Sequence, residues 1–275
     1  MDKGILFICP TPIGNLEDIT LRSLRILEEV DLIAAEDTRH TIKLLNHYDI
    51  KKPLTSYHEH NIKEKGIELI EKLKEGKKIA LVSDAGMPGI SDPGEVLIRE
   101  AIEADIEVVP LPGPTASITA LIISGLPTDK FIFYGFLSSK KKDRIKELEE
   151  IKEYKMTTII YEAPHRLLSL LEDMIEVLGE RKISISRELT KKYEETFRGT
   201  PKEALEKFKS SGVRGEFVLV IEGNKEEETP EIDIEKLLKD YLNQGYRKKE
   251  AVKKVSEEYN LPKNEVYRVS LEISE

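Results

Sequence analysis

Four segments of the chain bring together residue types able to do chemistry. The richest is Ser83-Asp84-Ala85-Gly86-Met87-Pro88-Gly89-Ile90-Ser91-Asp92-Pro93-Gly94, which packs three glycines and two prolines into twelve residues. Such a stretch lets backbone amides and carbonyls approach a ligand closely, and a carboxylate such as Asp84 can face sugar hydroxyls or a cationic centre. It fits neither G-x-G-x-x-G nor G-x-x-x-x-G-K-[ST], so dinucleotide and P-loop readings lose their main support. A long loop with a purely structural task is the plainer reading of the same residues.

The second segment, Ala35-Glu36-Asp37-Thr38-Arg39-His40, places two carboxylates at the end of an apolar run and a hydroxyl where it can cap a helix. Capping accounts for Asp37 and Thr38. Glu36, Arg39 and His40 crowd into the same turn, a mix suited to handling hydroxyls, phosphates or protons. The third segment, Pro10-Thr11-Pro12-Ile13-Gly14-Asn15, is stiffened by its prolines, and Gly14 permits a positive φ or close backbone approach. An ordinary strand-to-helix turn explains it equally well. The fourth, Pro110-Leu111-Pro112-Gly113-Pro114-Thr115-Ala116-Ser117, is a rigid turn that feeds small side chains into a helix start and leaves room for a flat ligand. A proline-initiated helix between two lobes is the plainer account.

These segments need a frame to hold them. Apolar runs at Ile5–Ile8, Leu32–Ala35, Ile79–Val82 and Val108–Leu111 predict buried parallel strands. Amphipathic stretches at Thr20–Val30, Thr38–Tyr48, Ile62–Lys74 and Glu95–Ala104 predict the crossover helices between them. All four segments then fall in loops beyond strand ends, where ligands of open αβ sheets bind. A second series of runs, Phe131–Tyr134, Thr157–Tyr161, Ile183–Ser186 and Phe217–Ile221, alternates with helical patterns such as Leu167–Leu178 and predicts a second αβ domain. A helix from Pro114 to Ser124 would join the halves, with the expected site in the cleft between them. Asn224 to Glu231 is charged and poor in apolar residues and reads as a linker. Three short helices follow, the last pair spanning Lys249–Val269 and broken at Asn260-Leu261-Pro262. The predicted organisation is an N-terminal αβ domain at 1–115, a C-terminal αβ domain at 116–228 and a helical extension at 229–275.

Composition narrows the classes. The chain has 275 residues, 39% hydrophobic and 35% charged, enough for a sizeable core under a densely ionised surface. Its single cysteine, Cys9, and the lack of a Cys/His cluster with ligand spacing favour a reducing cytoplasm and no bound metal. No run approaches the roughly 18 apolar residues that span a bilayer, and Gly4–Cys9 is too short for a signal segment. A net charge of -9 argues against indiscriminate nucleic-acid binding, so any such contact must be local.

In this order, Pro12-Ile13-Gly14-Asn15, Ala35-Glu36-Asp37-Thr38-Arg39, Ser83-Asp84-Ala85-Gly86-Met87-Pro88, Ile90-Ser91-Asp92-Pro93-Gly94 and Pro110-Leu111-Pro112-Gly113-Pro114 resemble the tetrapyrrole methylase-like family, in its bacterial branch acting on small-subunit ribosomal RNA. The likeness continues through Tyr161-Glu162-Ala163-Pro164-His165-Arg166, Ser186-Arg187-Glu188-Leu189-Thr190-Lys191 and Arg214-Gly215-Glu216-Phe217. Distant members typically carry Gly-Asp-Pro where this chain has Ser83-Asp84-Ala85, which favours the RNA branch. The resemblance implies an α/β fold of two αβ domains, the class III methyltransferase type, with a small helical C-terminal extension. It further implies S-adenosylmethionine folded into the cleft, a homodimer, and 2′-O-methylation of a cytidine in the decoding region of 16S ribosomal RNA, free or in the assembled small subunit. Carried over position by position, the cofactor-binding residues are Pro12, Asp84, Gly86, Met87, Ala116, Ser117 and Tyr161.

A ribose hydroxyl is a poor nucleophile while protonated, and a group that takes its proton assists by roughly 10²–10⁴-fold. Glu36, His165, Glu188 and Lys191 are the catalytic candidates. Arg39, Arg166, Arg187, Lys141 and Arg144 are the candidate RNA contacts, since guanidinium groups bind phosphate oxygens with two hydrogen bonds. Structural ion pairs and a solvated charge run explain the same residues. The stretch from Arg247 to Arg268 holds more bases than acids and suits nucleic-acid binding or docking on the body, with RNA the favoured partner. Two other readings stand beside the first: a methylase of the same fold acting on a tetrapyrrole or a protein, and a non-catalytic RNA-binding assembly factor.

Overall fold

The computed structural model describes residues 3–225, 233–259 and 261–272. The chain divides into two compact units, Met1–Asn224 and Lys225–Glu275. The first unit begins with a five-stranded sheet of β1 (Ile5–Ile8), β2 (Leu32–Ala35), β3 (Leu54–Ser56), β4 (Ile79–Val82) and β5 (Glu107–Pro110). Its order is β3-β2-β4-β1-β5 and every pairing is parallel. Parallel neighbours demand crossovers, supplied by α1 (Leu21–Glu29), α2 (Thr38–His47), α3 (Ile62–Lys74) and α4 (Gly94–Glu103). The side-chain period of two sorts the strands onto two cores. Leu6, Ile8, Ile79 and Leu81 face Leu69, Leu73 and Leu97 of α3 and α4. Phe7, Cys9, Ala80 and Val82 face Ile26, Leu27 and Leu45 of α1 and α2. Each large aliphatic chain buried this way contributes roughly 1.5–3 kcal/mol. Thr20 and Asp37 start α1 and α2 by accepting the backbone N–H groups of Ser23 and Arg39.

The second lobe of this unit opens with α5 (Ala116–Ser124), followed by β6 (Phe131–Phe136), α6 (Lys141–Glu153), β7 (Thr157–Glu162), α7 (Leu167–Leu178), β8 (Ile183–Arg187), β9 (Glu195–Gly199), α8 (Pro201–Ser211) and β10 (Phe217–Ile221). The sheet order is β6-β7-β10-β8-β9, parallel between β6 and β7 and antiparallel elsewhere. One face packs Ile160, Ile185 and Leu219 on Leu148, Leu170 and Phe208 of α6, α7 and α8. The other packs Ile159, Val218 and Val220 on Ala120 and Leu121 of α5, and Ile13 from the first lobe joins that cluster. The two lobes therefore share an apolar seam directly behind the β1–α1 loop.

Helix α5 starts at Ala116 rather than at Pro114, because Thr115 is extended (φ -148°, ψ 113°) and takes the cap position. Strands β3 and β9 have no counterpart among the predicted runs. Both are edge strands of mixed polarity (Leu-Thr-Ser and Glu-Thr-Phe-Arg-Gly), without the apolar block that marks the predicted runs. The second unit holds α9 (Ile234–Asn243), α10 (Lys248–Glu258) and α11 (Lys263–Glu272), packed around Leu238, Ala251, Val252, Val255 and Val266. The predicted linker falls mostly on residues 226–232 and the predicted helix break includes Asn260; these lie outside the described residues, as does the expected 228/229 boundary. Among the described residues no helix is long and apolar enough to cross a membrane.

Candidate functional site

The four chemistry-bearing segments meet at the carboxyl ends of the first sheet. Thr11 and Gly86 exchange backbone hydrogen bonds in both directions, at 2.9 and 3.0 Å, and the Thr11 hydroxyl donates to the Ser83 carbonyl at 3.1 Å. Gly86 has φ +81°, a backbone conformation that favours glycine, and a Cβ there would stand 3.2 Å from Ile13 Cγ2. Two further bonds tie the β2–α2 turn to the β4–α4 loop: Asp37 N–H donates to Asp84 Oδ1 at 3.1 Å, and Asp84 N–H donates to Glu36 Oε2 at 3.3 Å. The far end of the long loop is closed by Asp92, whose carboxylate accepts the N–H groups of Gly89 and Gly94 at 2.9 Å.

These loops form one wall of a cleft of about 490 Å³. Ile13, Glu36, Asp84, Met87 and Asp92 line it from the first lobe, and Ala116, Phe136, Tyr161, Glu162, Glu188, Lys191 and Glu216 from the second. Tyr161 is fixed by edge-on contacts to Phe133 and Phe136, with centroids 5.0 and 5.6 Å away, and its hydroxyl faces Ser117. Glu188 and Thr190 adopt left-handed backbone angles (φ 51° and 64°), costing roughly 1–3 kcal/mol each in a non-glycine residue. That strained turn presents Lys191, whose Nζ lies 3.0 Å from Glu188 Oε1 and 3.6 Å from Glu216 Oε2.

The cleft is strongly acidic. Six carboxylates line it, those of Glu36, Asp84, Asp92, Glu162, Glu188 and Glu216, against the single ammonium of Lys191. Burial raises the pKa of Glu36, and the neighbouring charges of Asp84, Asp92 and Asp37 add to this against the Asp84 N–H bond. Burial likewise raises Asp92 against its three backbone hydrogen bonds, and Glu162 against its bond from Ala163 N–H. For Lys191 burial works downward, but the Glu188 and Glu216 carboxylates prevail and hold the ammonium above its ordinary pKa. Glu162 is buried, with Oε1 bonded to Ala163 N–H at 2.8 Å and 3.1 Å from Arg166 Nε, which points off line for a hydrogen bond. Its Oε2 is buried without a hydrogen-bond partner.

Of the residues expected to bind a cofactor, Asp84, Gly86, Met87, Ala116 and Tyr161 line the cleft. Ser117 is buried behind Tyr161, and Pro12 borders a smaller neighbouring cavity. Of the catalytic candidates, Glu36, Glu188 and Lys191 line the cleft, whereas His165 is exposed on the short turn Pro164–Arg166 outside its lining. The structure gives each of the expected RNA contacts a partner within the chain. Arg144 is 5% exposed, and its guanidinium is spent on Asp173 of α7, 2.7 Å from Nε, so it is a buried structural ion pair. Arg166 donates to the carbonyls of Leu137 and Ser138, and Arg187 pairs with Glu195 at 2.5 Å. Lys141 is exposed but lies 3.3 Å from Asp173, and Arg39 is exposed with its guanidinium on Asp37 at 2.7 Å. Asp92, Glu162, Phe136 and Glu216 were missed as lining residues. Asp92 carries a signal, an acid two residues before a glycine inside the loop; Glu162 and Glu216 stand beside strand runs and within the tracts that carry the family resemblance.

A model of the tetrapyrrole (corrin/porphyrin) methylases matches residues 6–205. The chain belongs to that family. Among its fellow members, a protein of Halalkalibacterium halodurans named ribosomal RNA small subunit methyltransferase I is 52% identical over 274 residues, 98% of this chain and 95% of the relative. One of the same name from Thermotoga maritima is 50% identical over 222 residues, 81% of this chain and 100% of the relative. A crystal structure of uroporphyrin-III C-methyl transferase from Thermus thermophilus, complexed with S-adenyl homocysteine, superposes on this methylase-family chain with a TM-score of 0.56 at 15% identity, covering 80% of this chain and 97% of the other. At that identity the superposition speaks for the fold alone.

Proposed function

We propose that this chain transfers the methyl group of S-adenosylmethionine to the ribose 2′-oxygen of a cytidine in the decoding region of small-subunit (16S) ribosomal RNA, acting in the cytoplasm as a homodimer. The observation that carries the reading is the 52% identity, over 98% of the chain, to a relative named for small-subunit ribosomal RNA methylation. The ribose oxygen, the cytidine and the dimer rest on the ordered motif tracts and their resemblance.

The residues present suit such a donor. A cleft with six carboxylates favours a ligand that carries a sulfonium and an ammonium. Asp84, with Gly86 and Met87, would hold its polar and apolar parts from one side, and Ala116 and Tyr161 from the other. When bound, the donor supplies a methyl group on a positively charged sulfur. The protein's part is to align the acceptor oxygen behind that methyl carbon and to exclude competing water. As the oxygen forms its bond to carbon and the carbon–sulfur pair returns to sulfur, the hydroxyl proton must leave. Glu36 suits its removal, because a carboxylate held above its ordinary pKa is the stronger base and only its Oε2 is engaged with Asp84. Lys191 stays protonated beside Glu188, which makes it a cation rather than a base.

Purified protein given S-adenosylmethionine labelled in its methyl group should label small-subunit ribosomal RNA or the assembled subunit, and mass-spectrometric mapping should find one 2′-O-methylcytidine. Label on a base, on a tetrapyrrole or on a protein would overturn the proposal, as would an absence of binding heat with the donor.

A further inference from the structure

The acidity of the main cleft raises a difficulty for the function proposed above, on which this inference rests. A ribonucleotide is a polyanion, and walls bearing six carboxylates repel it. A second cavity of about 160 Å³ offers a different entrance. It lies wholly within the first lobe, between the β1–α1 loop and the first turns of α2, and shares only Ser83 and Asp84 with the cleft. Asp84 is thus a partition with a cavity on either side.

The two cavities differ in charge. The smaller contains one carboxylate, that of Asp84, and opposes it with Lys43 and His40, which lie on the same side of α2. Among the described residues neither side chain has an ion-pair or hydrogen-bond partner, in contrast to Arg39, Arg144, Arg166 and Arg187, whose guanidinium groups are all committed. Pro12, Leu16 and Leu44 supply apolar surface for the body of a ligand, and Thr41 a hydroxyl. Uncommitted basic donors over an apolar floor are what a nucleotide needs: a cation for the phosphate and flat surface for the sugar or base.

We propose that the smaller cavity receives the nucleotide bearing the acceptor hydroxyl, with a phosphate toward Lys43 and His40 and the ribose toward the Asp84 partition. The acidic cleft on the other side then receives the cationic donor, and the two substrates meet over the edge formed by Ser83 and Asp84. Opposite charges sort the two substrates into their own cavities before any reaction occurs.

The test uses the full chain and the substitutions Lys43→Met, Lys43→Arg, His40→Asn and, as a control of equal charge change at an exposed site on α3, Lys63→Met. Binding of small-subunit ribosomal RNA is measured across a salt series, binding of S-adenosylhomocysteine by calorimetry, and methyl transfer by KM and kcat separately. Lys43→Met should reduce the salt slope of RNA binding by about one and raise KM for RNA on the order of tenfold, with donor-site affinity unchanged. His40→Asn should raise KM, and Lys43→Arg should retain most of the wild-type slope. Lys63→Met should behave as wild type. RNA binding by Lys43→Met and His40→Asn indistinguishable from wild type would overturn the assignment, as would a loss of S-adenosylhomocysteine affinity equal to the loss for RNA. A wild-type protein that binds RNA but transfers no methyl would instead count against the function proposed above, and the Lys43 salt slope would still decide the location of the RNA.

Discussion

Asp84 Oδ1 accepts the backbone N–H of Asp37 at 3.1 Å while the Asp84 N–H is held by Glu36, so the central loop and the β2–α2 turn are fastened to each other at two points. The Asp84 side chain is exposed yet positioned by the backbone N–H of Asp37 in the neighbouring turn. Replacing it with asparagine keeps an oxygen for Asp37 but removes the charge. Asp84→Asn should therefore fold normally and bind S-adenosylmethionine on the order of tenfold more weakly, a loss of about 1.5 kcal/mol for one charge-assisted bond. Titration calorimetry measures this directly, and an unchanged affinity would remove Asp84 from the donor site.

Glu36 sets a pH dependence. Because its folded-state pKa lies above the ordinary glutamate value, it gains its proton at a higher pH than a free side chain would. Methyl transfer that relies on Glu36 as proton acceptor should decline as pH falls through this raised value and recover above it. Glu36→Gln should lower kcat by roughly 10²–10⁴-fold and abolish that acidic limb. A Glu36→Gln protein with the wild-type pH profile would point to Glu188 in its place.

The buried pair of Arg144 and Asp173 is a matter of stability rather than of substrate. With side chains 6% and 3% exposed, removing one partner leaves an uncompensated charge between α6 and α7. Asp173→Ala should cost about 3–5 kcal/mol in chemical denaturation, and replacing both residues by apolar ones of similar volume should recover most of it. Equal losses in the single and double variants would show that shape, not charge, governs this contact.

The helical unit offers a cleaner separation. Every cleft residue lies within Met1–Asn224, and the whole of the Thermotoga maritima relative is spanned by 81% of this chain. A chain ending at Asn224 should bind S-adenosylmethionine as tightly as the full protein, with any loss confined to RNA. Weaker donor binding, read by the same calorimetry, would show that residues 225–275 shape the cleft.

The eight predicted strand runs recur as strands, within two residues of their bounds, because each is a short apolar block between turn residues, whether in the parallel first sheet or the mixed second. Leu54–Ser56 and Glu195–Gly199 escaped because edge strands of mixed polarity lack that contrast. The candidate site was legible where loops were unusual in composition, as around Gly86. It was illegible where the function of a charge depends on its partner. Arg144 and Arg166 look alike in sequence to any exposed arginine, and only folding brings Asp173 and the Leu137 carbonyl to them. Glu162 shows the converse: a strand-end acid whose proximity to the cleft arises from its pairing opposite Phe217 across the second sheet.

Gly14 lies where the β1–α1 loop touches the strained turn of the second lobe. A Cβ added there would stand 2.7 Å from the Leu189 carbonyl and 2.8 Å from the Thr190 hydroxyl. The lone hydrogen of Gly14 works as a spacer of minimum thickness: the gap between the lobes is gauged at its back by the one residue type thin enough to let them close. Even a methyl group at this point would act as a wedge, meeting the Lys191 side chain first and pushing that turn back from the first lobe.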